Sequence, residues 1–258
     1  MAIGAAVFGV AASAFLPRVA HRLAVPSGAP PRSACADCHA AFPQGPDGWV
    51  RAGPSCDSRA VPRWHRLAVG PRWHRLAVGP RSHRPACRRT PWGTVASGAA
   101  AAGLLGAAVG ASPLLPVLLV AVVLGVLLAA IDLRCLRLPN PLVATLALLT
   151  AVPLSVLGGP GQLARAVIAG GLSFFAYAMI AIWPRGGLGF GDVKLAAVLG
   201  FVLGFVGWPA WLLGLALAHL INGPIALFLL AKGKVGRRSP VPLGPALLVG
   251  ALLGVAFG

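Results

Sequence analysis

Glutamate is absent from this 258-residue chain. Its five acidic residues are all aspartate, set against 22 lysines and arginines. Any chemistry that needs a carboxylate must therefore come from those few aspartates. Charge of either sign is scarce: charged residues make up 10% of the chain, where a soluble domain carries roughly a quarter. Hydrophobic residues make up 57%, and the mean hydropathy is +0.82. An apolar excess of that size argues against an ordinary soluble globule and implies surface that faces lipid. The net charge of +17 would by itself suggest nucleic acid. The basic residues, however, sit in segments flanking apolar runs, where they set membrane topology, so no nucleic-acid partner is expected and membrane lipid is.

The chain divides into three stretches. An apolar run over 1–17 reads as a first transmembrane helix. Residues 18–94 form a polar segment rich in Arg, Pro, Gly, His and Trp. Residues 95–258 are almost wholly apolar and read as a seven-helix membrane core. The spans expected there are Val95–Ala111, Leu114–Ile131, Pro141–Leu157, Ala166–Trp183, Val193–Gly207, Ala210–Ala231 and Pro242–Phe257. Several fall short of the ~20 residues that cross a bilayer comfortably. The fold class is thus an all-α integral membrane protein of about eight transmembrane helices, with one cytoplasmic Arg/Cys-rich insert after the first.

Charge placement supports that parse. With residues 18–94 assigned to the cytoplasm, the inward loops hold Arg134, Arg137, Arg185, Lys194, Lys232, Lys234, Arg237 and Arg238. The outward loops near Ser112, Gly159 and Trp208 hold almost no Lys or Arg; Arg165 is the exception. This alternation follows the positive-inside rule and predicts both termini outside. Arg18 follows the opening apolar run rather than preceding it, which suits a retained anchor better than a cleaved signal. Within the polar segment RWHRLAVGP occurs twice in tandem, Arg63–Pro71 and Arg72–Pro80. Two such short copies are too few for a solenoid and read as a local duplication.

Only two acidic residues lie beyond Asp57: Asp132 in AAIDLRCLRLPNP and Asp192 in GLGFGDVKL. An ionisable group at membrane depth is expensive and is a functional hypothesis by default. As a pair, each at the inner end of a span, they are suited to act on a water molecule, one accepting its proton while the other donates to the scissile carbonyl or leaving amine. Asp192 precedes an apolar helix and has a plain structural alternative as its N-cap. Asp132 closes a helix, where the macrodipole disfavours an anion, so the alternative there is an ion pair with Arg134 or Arg137. On those surroundings Asp192 is expected to serve mainly as base and Asp132 mainly as proton donor. Gly186, Gly187, Gly189 and Gly191 leave room for a peptide backbone to approach Asp192. Pro139-Asn140-Pro141 reads as a loop-to-helix junction with Asn140 at the cap. A non-enzymatic transporter or channel, with Asp132 and Asp192 as ion or proton ligands, is the alternative of a different class.

These segments resemble the type IV prepilin peptidases, or leader peptidases, which are membrane aspartyl proteases of the GxGD kind. The resemblance rests on IDLRCLRLPNPL with Asp132, on GLGFGDVKLAAVLG with Asp192 and Lys194, and on VPLGPALLVG over Val241–Gly250. The opening FGVAASAFLPRVAHRL is similar to the family's first helix and its exit. The resemblance implies an aspartic endopeptidase with Asp132 and Asp192 catalytic, and Gly189, Gly191, Lys194, Pro139 and Asn140 supporting. It implies cleavage of a short basic leader from prepilin-like protein substrates of pili or secretion systems. The cut follows a Gly, at the cytoplasmic face of the inner (plasma) membrane. No cofactor is implied for cleavage.

The family's cytoplasmic segment often carries two CxxC pairs that bind zinc. Here Cys35 and Cys38 form one pair, whereas Cys56 and Cys87 are separated by the tandem repeat. A zinc site on Cys35, Cys38, Cys56 and Cys87 is the resulting expectation, with His83 as a substitute ligand. The resemblance also associates methylation of the new N-terminus with an acidic residue on the following helix. Pro91–Gly103 has none, so the expectation covers cleavage and not methyl transfer.

Overall fold

The computed structural model describes residues 1–25, 30–34, 41–42, 45, 49, 92–183, 188–232 and 242–258. Its helices are α1 (Ala2–Ser13), α2 (Leu16–Leu23), α3 (Trp92–Ala108), α4 (Leu114–Cys135), α5 (Asn140–Leu157), α6 (Pro160–Ile182), α7 (Phe190–Val206), α8 (Trp208–Ala231) and α9 (Gly244–Phe257). Apart from an isolated bridge between Ala34 and Ala41, no strand occurs among the described residues. The all-helical expectation holds.

Every apolar stretch expected to cross the membrane forms a helix, but length separates them. Four helices are long and apolar enough to span a bilayer: α4, α5, α6 and α8. A fifth span results if α1 and α2, bent by 42°, count as one. Helices α3 and α9 are apolar but shorter, and α7 has 17 residues. At 1.5 Å per residue α9, with 14 residues, reaches about 21 Å, short of a ~30 Å hydrocarbon core.

The first break lies within the stretch expected as one helix. Pro17 occupies the first turn of α2, where its missing N–H costs nothing, whereas it could not sit inside a continuous helix without losing a hydrogen bond. The boundary expected after Pro17 therefore falls inside α2. This helix packs on α4 through Leu16, Ala20, Leu127 and Ile131, and Arg134 donates to the Pro17 carbonyl at 3.2 Å.

Three helix pairs make the most extensive contacts: α6 with α7, α1 with α3, and α8 with α9. In each, small residues let the backbones approach. Gly200 and Gly204 of α7 face Ser173, Ala169 and Arg165 of α6, Gly9 faces Gly98 and Ala102, and Gly250 and Gly254 face Gly214, Ala218 and Ala210. Lipid-embedded helices lack a hydrophobic driving force toward one another, so close packing of small faces is what holds such pairs.

Arg165 explains its own exception to the charge rule. Helix α6 begins at Pro160 rather than Ala166, so Arg165 lies within it. Its Nε donates to the Gly204 carbonyl at 2.6 Å, and a terminal nitrogen donates to Phe205 O at 2.9 Å and Val206 O at 3.4 Å. These are the last carbonyls of α7, which have no partner in their own helix. Arg165 is a C-terminal cap supplied from a neighbouring helix, a structural use for its charge.

Candidate active site

Asp132 lies in the last turn of α4 and is 4% exposed. Its Oδ2 accepts the Gly244 N–H at 3.1 Å. Gly244 is the first residue of α9, so this N–H is one that the helix cannot satisfy internally. Asp132 thereby faces the positive end of a second helix dipole as well as the negative end of its own. The expectation that Asp132 is the proton donor rests on a helix C-terminus and on apolar surroundings; the N-terminus of α9 offsets the first, and the burial of Asp132 keeps the second. Gly244 must be glycine for this contact: a Cβ placed there would lie 2.8 Å from Asp132 Oδ2 and 3.3 Å from its Cγ.

Asp192 is the third residue of α7, whose N-cap is Gly189. The N-cap alternative for Asp192 is thus displaced by three residues. From this position the carboxylate lies beside Gly189, with Oδ2 3.3 Å from where a Cβ on that glycine would sit. Its Oδ1 is buried and has no hydrogen-bond partner among the described residues. A buried carboxylate oxygen without a partner is costly in a purely structural role and suits one that awaits water or substrate. Gly191, next to Asp192, packs against Leu138, so the start of α7 lies against the turn that follows Asp132.

The supporting residues converge on the same place. A Cβ on Gly191 would meet Leu138 Cβ at 3.0 Å, so the glycine lets the start of α7 close against the segment after Asp132. Lys194 Nζ donates to Asn140 Oδ1 at 3.0 Å, tying α7 to the start of α5. Asn140 was expected at the N-cap; the N-cap is Pro139, with no side-chain capping bond, and the Asn140 amide serves Lys194 instead. The turn between α4 and α5 passes through Leu136 in the left-handed region, φ 53°. That conformation is costly for leucine and turns the chain sharply between Asp132 and Leu138. Gly189 thus lies against Asp192, Gly191 against Leu138, and Lys194 against Asn140, next to Pro139 at the start of α5. Gly186 and Gly187 lie outside the described residues, as do Cys35, Cys38, Cys56, Cys87 and His83. Among the described residues no group of three or more His, Cys, Asp or Glu gathers to hold a metal ion.

Two polar residues nearby were not singled out from the sequence. Tyr177 of α6 is 2% exposed and belongs to the same buried cluster as Leu138, Val193 and Leu243. His219 lies in the middle of α8, with its Nε2 3.4 Å from the Tyr177 hydroxyl. The signal available was their rarity, a single tyrosine and a single histidine within 95–258.

The family model described as "Type IV leader peptidase family" matches residues 119–227, a stretch that contains both Asp132 and Asp192. The prepilin leader peptidase/N-methyltransferase of Burkholderia pseudomallei (strain 1026b) is 31% identical over 217 residues, covering 80% of this chain and 66% of that protein. The protein of the same name from Bacillus subtilis (strain 168) is 36% identical over 85 residues, 33% of each chain. That from Aeromonas hydrophila is 32% identical over 138 residues, 52% of this chain and 46% of its own. The chain thus spans just under two thirds of the length of the Burkholderia relative. No solved structure matches. Residues 119–227, which hold both aspartates, thus match the type IV leader peptidase family, and the chain is similar to its members over as much as 80% of its length.

Proposed function

We propose that this protein is an aspartic endopeptidase that removes the basic leader from type IV prepilin-like proteins. The observation that carries the reading is the convergence of three distant segments on one pair of carboxylates. Asp132 from α4 is held by the N-terminus of α9, and Asp192 from α7, whose neighbour Gly191 packs against Leu138 of the turn after Asp132, has one oxygen unpartnered among the described residues. A water between two such carboxylates loses a proton to one as it attacks the scissile carbonyl, while the other donates to the leaving amine. Beside Gly189 only the Asp192 carboxylate lies within 4 Å of a Cβ position, which leaves room for an extended backbone, and a glycine at the cleavage point would keep side chains out of the way.

The proposal extends to topology and placement. All eight apolar segments cross the inner membrane, α7 and α9 as short, glycine-packed spans, and both aspartates face the cytoplasm together with residues 18–94. In that segment a zinc ion on Cys35, Cys38, Cys87 and either Cys56 or His83 would stiffen the loop without entering the cleavage step. Methyl transfer is not part of the proposal: α3 carries no acidic residue. The transporter alternative finds no support among the relatives, all of which bear peptidase names.

The test is cleavage of a prepilin-like substrate with a Gly-ending leader by membranes containing the full chain. Asp132→Asn and Asp192→Asn should each abolish cleavage while the protein stays in the membrane. The double variant should be no worse than either single one, because residues that act as a unit are not additive. Substantial activity in either single variant would defeat the two-aspartate mechanism.

A further inference from the structure

Tyr177 and His219 form a polar pair inside otherwise apolar helices, and the mechanism above leaves it unused. His219 stands twelve residues into the 24-residue α8, where an ionisable side chain is costly without a partner or a purpose. Its Nδ1 is 2.8 Å from the Leu215 carbonyl. A carbonyl only accepts, so in the neutral ring the proton sits on Nδ1 and Nε2 is an acceptor. The Tyr177 hydroxyl donates toward Nε2 across 3.4 Å, a long reach for an O–H donor, whose usual separation is about 2.7–2.8 Å. The phenol is therefore only loosely held.

A stronger acceptor stands nearby. Helices α6 and α7 are consecutive and packed closely. Tyr177 lies five residues before the end of α6, and Asp192 two residues after the start of α7. At 1.5 Å per residue the two positions differ in depth by only roughly 4–5 Å along the paired helices. Tyr177 and Val193, the residue after Asp192, belong to one buried cluster, and the buried Asp192 Oδ1 has no partner among the described residues. Hydrogen bonds to an ionised carboxylate are shorter and stronger than those to a neutral acceptor.

Resting on the peptidase reading, we propose that Tyr177 is a positioning residue for Asp192, its hydroxyl shared between His219 Nε2 and, directly or through one water, Asp192 Oδ1. Tyr177 transfers no proton. It orients the carboxylate and steadies it as its protonation changes during the reaction, while His219 keeps the phenol within range between turnovers.

Tyr177 is the only tyrosine in the chain, so the full-length protein labelled with 13Cζ-tyrosine gives one NMR line, which reports the hydrogen bonding of that hydroxyl. Asp192→Asn and His219→Ala should each move the line. In the cleavage assay Tyr177→Phe, which keeps the ring, should lower kcat about 10-fold with KM within about 2-fold, the effect of one hydrogen bond that acts in the transition state. His219→Gln, which keeps an acceptor, should retain more activity than His219→Ala. A line unmoved by Asp192→Asn overturns the proposal even if kcat falls, since the loss is then one of packing. A wild-type kcat in Tyr177→Phe overturns it as well. In both cases a cleaving wild-type protein leaves the peptidase reading intact. A wild-type protein that cleaves no prepilin-like substrate overturns the peptidase reading and this proposal with it.

Discussion

Replacing Gly244 by alanine tests whether the start of α9 sets the position of Asp132. The added Cβ would lie 2.8 Å from Asp132 Oδ2 and 3.3 Å from Cγ, so relief to an ordinary contact near 3.4 Å requires a shift of roughly 0.6 Å. Two bodies could move. Helix α9 is fixed against α8 by the close approach of Gly250 and Gly254 to Gly214, Ala218 and Ala210, and moving it would disturb every one of those contacts. The Asp132 side chain is the cheaper to displace, and the displacement disturbs its 3.1 Å bond from the Gly244 N–H. Overpacking of this kind costs about 1–3 kcal/mol of stability. A misplacement approaching 1 Å in a catalytic group costs up to about 100-fold in rate, so a fall in kcat of about 10- to 100-fold is expected. Gly171→Ala is the control. A Cβ there has nothing within 4 Å, and at a mid-helix position alanine should add about 0.5–1 kcal/mol with activity unchanged. The assay pairs cleavage of a leader substrate with a thermal midpoint in detergent. A Gly244→Ala protein cleaving within about 2-fold of wild type would refute the claim that α9 positions Asp132.

Reporter fusions after Thr94 and after Gly258 should report opposite sides of the membrane, and finding both in the cytoplasm would sink the eight-span topology. Purified protein should hold about one zinc per chain and lose it when Cys35 and Cys38 become Ser; metal-free protein with full stability and activity would remove the zinc site. Arg165→Ala should lower stability by about 1–3 kcal/mol, because the α7 carbonyls of Gly204, Phe205 and Val206 lose their donor. It should leave the reporter topology unchanged; an inverted topology would mean that Arg165 acts as a charge signal after all.

Residues in one stretch of sequence decided a good deal. A chain with no glutamate and two aspartates in its apolar part leaves few candidates for carboxylate chemistry, because lipid tolerates no charge without a use. Apolar runs separated by Gly, Pro and Arg were enough to locate every helix among the described residues from 92 onward, since backbone groups in such a setting must be satisfied within the segment itself. Their bounds were less legible. Asp132 and Asp192 both lie inside helices rather than beside them, and Arg165 lies within α6, because a charged residue near a helix end can turn back along its own or a neighbouring helix. The break between α1 and α2 was written at Pro17, yet hydropathy alone ran straight through it.

Tertiary structure decided what surrounds the aspartates. Gly244 meets Asp132 across 112 residues and Lys194 meets Asn140 across 54. Neither contact has a period or spacing that a linear reading could detect. Asp132 looked electrostatically exposed at the C-terminus of its own helix, and only the packing of α9 brought a second dipole of opposite sense against it. The same holds for Tyr177 and His219, unremarkable as single polar residues in apolar runs until α6 and α8 set them 3.4 Å apart. Local sequence encodes which segments become helices. Which helix end points at which carboxylate depends on the glycine faces through which those helices meet, and that is a property of the assembled bundle.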